Sequence, residues 1–153
     1  MPATKFPKPR VRPLAVAAVR RPDGAVLVQR GTEPTTGQVF HRLVGGGIDF
    51  GETAEQALVR EWREELDVEL RDVELLGWIE NGFTFAGRPG HEIGAVHVGR
   101  VDDRRLLRRD SPRIADTDST AHWVPAQDLL DGPAPLYPDG LAELLAPWLS
   151  RPS

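Results

Sequence analysis

The stretch GGGIDFGETAEQALVREWREELDV, residues 45–68, decides how the rest of the chain is read. Three glycines open it, and Glu52, Glu55, Glu61, Glu64 and Glu65 crowd the residues after them. Residues 53–66 read as a helix. Thr53 caps its start, and Gln56 three positions on completes a capping box. Leu58, Val59, Trp62 and Leu66 form one apolar stripe. Side chains three and four apart are neighbours on a helix, so Glu61, Glu64 and Glu65 share an arc away from that stripe. Ala54 and Ala57 are expected on the same arc, which would leave the carboxylates open.

Carboxylates this close repel one another unless a cation sits among them. Hard oxygen donors suit Mg²⁺ or Mn²⁺ and suit Zn²⁺ poorly. A merely solvated acidic face is the competing reading, since charged runs usually are solvated. Two features weigh against it. Arg60 lies among the glutamates, where it can pair with Glu61 or reach back to Glu52. Gly45-Gly46-Gly47 precede the helix, and glycines permit close backbone approach. A bent glycine loop offers carbonyls to a metal and amides to phosphate oxygens. Asp67 falls where a left-handed residue commonly closes a helix, a conformation Asp tolerates better than most residues.

Outward from this stretch the chain reads mainly as strands. Residues 14–20 and 25–30 are β-like runs around the turn Arg21-Pro22-Asp23-Gly24, so a hairpin is expected. Residues 39–44 form a short strand leading into the glycines. Residues 68–80 are strand-like with a break at Arg71-Asp72. Asn81-Gly82 and Gly87-Arg88-Pro89-Gly90 are turn signals on either side of Phe83-Thr84-Phe85. Residues 92–101 and 121–124 are further strands, and 102–120 is charged and irregular. Short helices are expected at 125–130 and 139–149. Runs of strands with a few helices indicate an α+β fold.

The bulk numbers narrow the function classes. A length of 153 residues suits one domain. Residues 1–12 are expected to be a flexible arm and 13–153 a single domain. No apolar run is long enough to span a bilayer, and the basic, Pro-rich start has no apolar signal core. Cysteine is absent, so disulfides, thiolate metal sites and cysteine nucleophiles are excluded. A cytoplasmic location is expected. Net charge is -4, which argues against a broad nucleic-acid surface. The expected partner is a small-molecule nucleotide, with neither nucleic acid nor membrane, and a homodimer is left open.

Gly46, Glu52, Arg60-Glu61 and Glu64-Glu65 stand at the offsets of a known motif: Gly, five residues, Glu, seven residues, Arg-Glu, two residues, Glu-Glu. This resembles the Nudix box. The likeness is strong over residues 46–68 and looser over about 13–149. It implies a Nudix fold, in which a mixed β-sheet is sandwiched between helices. The implied activity is that of a divalent-metal-dependent pyrophosphohydrolase cleaving the diphosphate linkage of a nucleoside diphosphate derivative. Nucleoside triphosphates, nucleotide sugars, ADP-ribose and dinucleoside polyphosphates all stay open, with a lean toward nucleoside di- or triphosphates. In the resemblance, Glu61, Glu64 and Glu65 hold metal or activate water. A carbonyl near Gly45 or Gly46 completes the metal shell, and Glu52 and Arg60 lock the helix and orient Glu61.

The departures are Asp67 in place of the usual Gly, Trp62 in place of a smaller aliphatic, and Val44 in place of a frequent Pro. Trp62 lies on the apolar stripe and is read as core. Isomerisation of a prenyl diphosphate uses a cysteine in related proteins, and none is present. A non-catalytic binding or regulatory module is the alternative, but such proteins often lose box carboxylates that this chain keeps.

Outside the box, Arg30, Arg42, Phe40 and Glu92 are the candidate substrate-binding residues. The arginines can meet a phosphate bidentately. Phe40, with Phe83 and Phe85, can stack a base. Glu92 opens its strand and is expected near the Glu61, Glu64 and Glu65 face, adding to the metal or its water. Asp116 and Asp118 rank below the box glutamates. Arg104-Arg105 and Arg108-Arg109 belong either to a solvated loop or to a phosphate clamp.

Overall fold

The computed structural model describes residues 8–115 and 119–152. In chain order the elements are β1 (Arg12–Val19), β2 (Val26–Thr32), β3 (Val39–Arg42), β4 (Val44–Gly47), α1 (Ala54–Leu66), β5 (Arg71–Phe85), β6 (Arg88–Arg100), α2 (Arg104–Arg108), β7 (Ala121–Val124), α3 (Ala126–Asp131) and α4 (Leu141–Leu149). β1 starts inside the stretch assigned to an arm, and most of that arm, residues 1–7, lies outside the described residues.

The strands form two sheets, ordered β4-β1-β6-β5 and β3-β2-β7. β1 is central. It runs parallel to β6, with Ala15 opposite Ala95, and antiparallel to β4, with Ala15 opposite Gly46. Side chains alternate across a strand, and the two faces of β1 feed two cores. Ala15, Ala17 and Val19 pack with Ala57, Leu58 and Trp62 of α1. Ala18 packs with Val96, Val98 and the α4 residues Leu141 and Leu145. The sheets are therefore covered by α1 on one side and α4 on the other, an α+β arrangement with strands between helices.

α1 forms where its capping box places it. Thr53 Oγ1 accepts from the Gln56 amide at 3.1 Å, and Gln56 Oε1 accepts from the Thr53 amide at 2.9 Å. Trp62 is fully buried, and its Nε1 donates to the Val44 carbonyl at 3.2 Å. Truncating such a side chain to Ala costs about 3–5 kcal/mol. Asp67 ends the helix at φ 56°, ψ 41°, with its amide donating to the Arg63 carbonyl.

Several local expectations fail for tertiary reasons. The turn at residues 21–24 exists, closed by Gly24 N donating to Arg21 O at 2.9 Å. Yet β1 and β2 share only the isolated bridge Arg20–Val26 and then enter different sheets. A strand has two edges, and those of β1 are taken by β4 and β6. Likewise residues 39–44 split into β3 and β4, one in each sheet. Asn81-Gly82 is not a turn: both residues lie within β5, opposite Glu92 and His91. The reversal comes at Ala86-Gly87, both at positive φ, as a two-residue hairpin turn demands. The break at Arg71-Asp72 is a bulge at the start of β5, with Asp72 at φ 52°. Within 102–120, Asp103 caps the short helix α2.

Candidate active site

Arg60 organises the box. Its Nε and Nη2 donate to the two oxygens of Glu52, each at 2.8 Å. Nη1 donates to Glu61 Oε1 at 3.0 Å and to Glu64 Oε2 at 3.3 Å. Nη2 also donates to the Gly47 carbonyl at 3.1 Å, and Asp49 lies 3.4 Å away. The Arg60 hydrogen bonds, helped by the Asp49 amide, hold the Glu52 carboxyl down at about 2. In return Glu52, then Glu61, raise the guanidinium above its ordinary value against the pull of burial. One side chain thus ties the loop after β4 to two helical glutamates.

β4 approaches α1 closely. A side chain at Gly46 would overlap the Glu61 carboxylate, and one at Gly45 would overlap the Ala15 carbonyl. The glycines are required here by contact rather than by unusual φ. They let Glu61 lie against the strand while its neighbour Arg60 holds it from the other side.

Glu65 is the odd member. Its Oε2 is buried without a hydrogen-bond partner among the described residues. Burial pushes its pKa up to about 7, helped by the charges of Glu61 and Glu64 and opposed by Arg42. No group of three Asp, Glu, His or Cys side chains already converges at metal-holding distance among the described residues. Arg60 sits between Glu61 and Glu64 where a cation would otherwise be needed. The donor set still fits a hard divalent ion: Glu61, Glu64 and Glu65 offer only oxygens, and the Glu65 Oε2 lacks the partner that such an ion would supply.

A family model described as the NUDIX domain matches residues 10–146. The chain belongs to the Nudix family. It is 29% identical over 115 residues to an RNA pyrophosphohydrolase of Hydrogenovibrio crunogenus, covering 65% of this chain and 69% of that protein. It is 30% identical over 130 residues to the NAD-capped RNA hydrolase NudC of Vibrio vulnificus, covering 80% of this chain and 49% of that protein, so it spans about half of NudC. A MutT NUDIX hydrolase from Burkholderia pseudomallei superposes with a TM-score of 0.63 at 27% identity, over 88% of this chain and 96% of that one. This Nudix protein is a hydrolase of phosphoric anhydride bonds, a pyrophosphohydrolase acting on nucleotide derivatives. Enzymes of the family use divalent metals and small nucleotide substrates. No helix among the described residues is long and apolar enough to cross a membrane.

The Nudix box residues come together; the other candidates separate. Arg42 pairs with Gln29 on the face of Leu27 and Trp123, toward α1, where its charge reaches Glu65. Arg30 pairs with His41 on the opposite face of the same sheet. Its Nε donates to His41 Nε2 at 3.2 Å. That bond makes Nε2 an acceptor. Burial, then Arg30 and His122, lower the His41 pKa, so the ring is neutral. His122, lowered by burial and then by Arg30, is held by Thr120 Oγ1 at 2.9 Å and Ser111 Oγ at 3.2 Å. His41 and His122 were not among the sequence candidates. Only the strand register brings them to Arg30, so no local spacing could have revealed them.

Three expectations need correcting. Ala57 is fully buried in the α1 core, not open beside the glutamates, and Ala54 packs against the same cluster. Phe40 is 8% exposed, its ring met by Phe85 at 6.2 Å and Tyr137 at 5.5 Å, so it is packed rather than open to a base. Glu92 pairs with Arg12 and Asn81 and alternates with Val96 and Val98 on the α4 side of the sheet. Glu61 meets that sheet from the opposite face, against Gly46. The pleat therefore keeps Glu92 away from the box carboxylates. Asp116 and Asp118 lie outside the described residues.

Proposed function

We propose that this chain is a Mg²⁺- or Mn²⁺-dependent pyrophosphohydrolase whose substrate is a small nucleotide, a nucleoside diphosphate joined to a further group X. The observation that carries the reading is the buried Glu65 Oε2, without a hydrogen-bond partner among the described residues, beside Glu61 and Glu64. Glu61, Glu64 and Glu65 would hold the ion, with a carbonyl of Gly45 or Gly46 beside them. Bound there, the ion supplies Lewis acidity to the phosphoryl oxygens and lowers the pKa of a bound water. Arg60, itself fixed by Glu52, orients Glu61 and Glu64. Arg42, on the wall facing Glu65, neutralises phosphate charge. Arg30, bonded to His41 on the opposite face of the sheet, is left out of the phosphate contacts. A small substrate is preferred to RNA because the chain is net acidic, at -4.

A panel of nucleoside triphosphates, nucleotide sugars, ADP-ribose, dinucleoside polyphosphates and 5′-triphosphate or NAD-capped RNA, assayed with Mg²⁺ and with EDTA, tests this. Turnover of free nucleotides that EDTA abolishes is the expected result. Full turnover in excess EDTA would remove the metal from the mechanism. Tight binding without turnover would make the chain a ligand-binding module. A preference for the RNA ends would move the substrate class to that of the relatives' names.

A further inference from the structure

The cavity beside Glu64 and Glu65 is lined by two arginines that the proposed chemistry leaves unused. Glu64 and Glu65 at the end of α1 line an open cavity of ≈ 340 Å³, and Arg109 and Arg113 line it from the segment between α2 and β7. A second, smaller cavity of ≈ 100 Å³ is bordered by the same two arginines. Both guanidinium groups are on exposed residues. Among the described residues neither makes an ion pair, whereas Arg21, Arg60, Arg71, Arg100 and Arg151 all do. Asp67 also lines the cavity, but no ion pair joins it to either arginine.

The segment that carries the arginines is built, not draped. Pro112 and Ile114 are buried, so Arg113 between them is turned outward. Arg113 bridges Thr120, the Ala121 amide donates to the Pro112 carbonyl at 2.8 Å, and the Ala115 amide donates to the Glu65 carbonyl at 2.9 Å. That last bond fastens the arginine wall to the helix bearing the catalytic carboxylates. Arg109 is held from the other side as the C-cap of α2, whose first turn is fixed by Asp103 and whose Leu106 is buried. The result is one cavity lined by Glu64, Glu65 and Asp67 together with Arg109 and Arg113. Arginine forks grip phosphate oxygens bidentately, so two guanidinium groups on one cavity, without an ion pair among the described residues, offer a site selective for charge.

We propose that Arg109 and Arg113 form a subsite for X, and that it selects an X that is itself anionic, a phosphoryl group, over an uncharged sugar. This rests on the pyrophosphohydrolase reading of the box. It makes a nucleoside triphosphate or a longer polyphosphate the preferred substrate class.

The test uses two matched pairs, ATP with ADP-ribose and GTP with GDP-mannose. Within a pair the nucleoside diphosphate is the same, and only X differs, charged against neutral. Dissociation constants are measured in Ca²⁺ buffer and kcat/KM in Mg²⁺ for the wild type, Arg109→Gln, Arg113→Gln, the double substitution and Arg113→Lys. Circular dichroism serves as the fold control, and both side chains are exposed. The double substitution should lower the preference for the triphosphate at least about tenfold in both measurements, as loss of two charge-assisted contacts requires. Arg113→Lys should keep part of it, and the salt dependence of triphosphate binding should flatten. A preference unchanged within about twofold, with turnover intact, would return both arginines to the solvent and leave the hydrolase standing. Turnover of another nucleotide of the panel but of none of these four would overturn the subsite and leave the hydrolase standing, whereas no metal-dependent turnover of any nucleotide in the panel would overturn the hydrolase reading itself.

Discussion

The box and the segment between α2 and β7 border one cavity and are held in opposite ways. In the box, Arg60 makes charge-assisted bonds to Glu52, Glu61 and Glu64 and a further one to the Gly47 carbonyl, all within a short span of chain. On the same cavity, Arg109 and Arg113 ride on a few backbone bonds, two buried side chains and one link to the Glu65 carbonyl. The first arrangement is crowded with like charge and stiffened by a single cation. The second is uncrowded, and its cations have no partner among the described residues. A wall stiffened by charge-assisted bonds beside a cationic one held by its backbone suits a site that does fixed chemistry on one part of a substrate and selects another.

Substitutions that act on only one wall would break that comparison. The largest effect is expected from Glu65→Gln, which should lower kcat about a hundredfold or more, equivalent to about 2.7 kcal/mol in the barrier. The same change should keep or raise the melting temperature in metal-free buffer. The sign is set by the direction of the shift. Glu65 in the fold titrates at about 7, above its ordinary value, so folding favours the protonated form. That stability is fully present below the unfolded pKa and is lost as pH rises through about 7. Gln cannot ionise, so its advantage should appear near pH 8 and vanish near pH 4. A melting temperature that falls at pH 8 would make Glu65 a structural residue. Full kcat in the variant would take it out of the chemistry.

Gly46→Ala comes next. The added methyl meets the Glu61 carboxylate, which must move away from β4. A displacement of about an ångström in a catalytic group loosens a site enough to lower kcat about tenfold to a hundredfold. The variant should retain its helix content by circular dichroism. Wild-type kinetics would mean that Glu61 can shift without harm and that the box is less rigid than its bonds imply.

The smallest effect is on stability alone. Asp67 holds a left-handed conformation, so Asp67→Gly should raise stability by up to about 1 kcal/mol. In a domain of this size that is a few degrees in Tm, about 2–4 °C. An unchanged Tm would show that the Asp side chain recovers the strain through a contact of its own.

The helix, its cap and its closure were legible because each depends on neighbours a few positions away. Thr53 finds Gln56, Arg60 finds Glu61 and Glu64, and Asp67 closes on Arg63, all within one or two turns. Glu52 was legible for the same reason, since the loop it sits on returns Arg60 to it. Illegible were the features set by which strand edges are taken and which way the pleat runs. The turn at residues 21–24 reads correctly as a reversal, yet nothing near it says that β6, far along the chain, already occupies the edge of β1. Glu92 opens an apolar strand, as expected, but a shift of one residue in register would have put it on the other face.

Residue spacing by itself determined the box: the cap, the left-handed close, the grouping of Glu61, Glu64 and Glu65 on α1, and hence the family. Helical neighbours are fixed by the rise and turn of one segment, so their geometry needs no other part of the chain. Tertiary structure alone decided that Ala57 is buried and Phe40 enclosed, that Arg42 and Arg30 point to opposite faces, and that His41 and His122 flank Arg30. It alone brought Arg109 and Arg113 to the cavity that Glu64 and Glu65 line. Those relations depend on strand register and sheet order, which are settled by long-range pairing and burial rather than by local spacing.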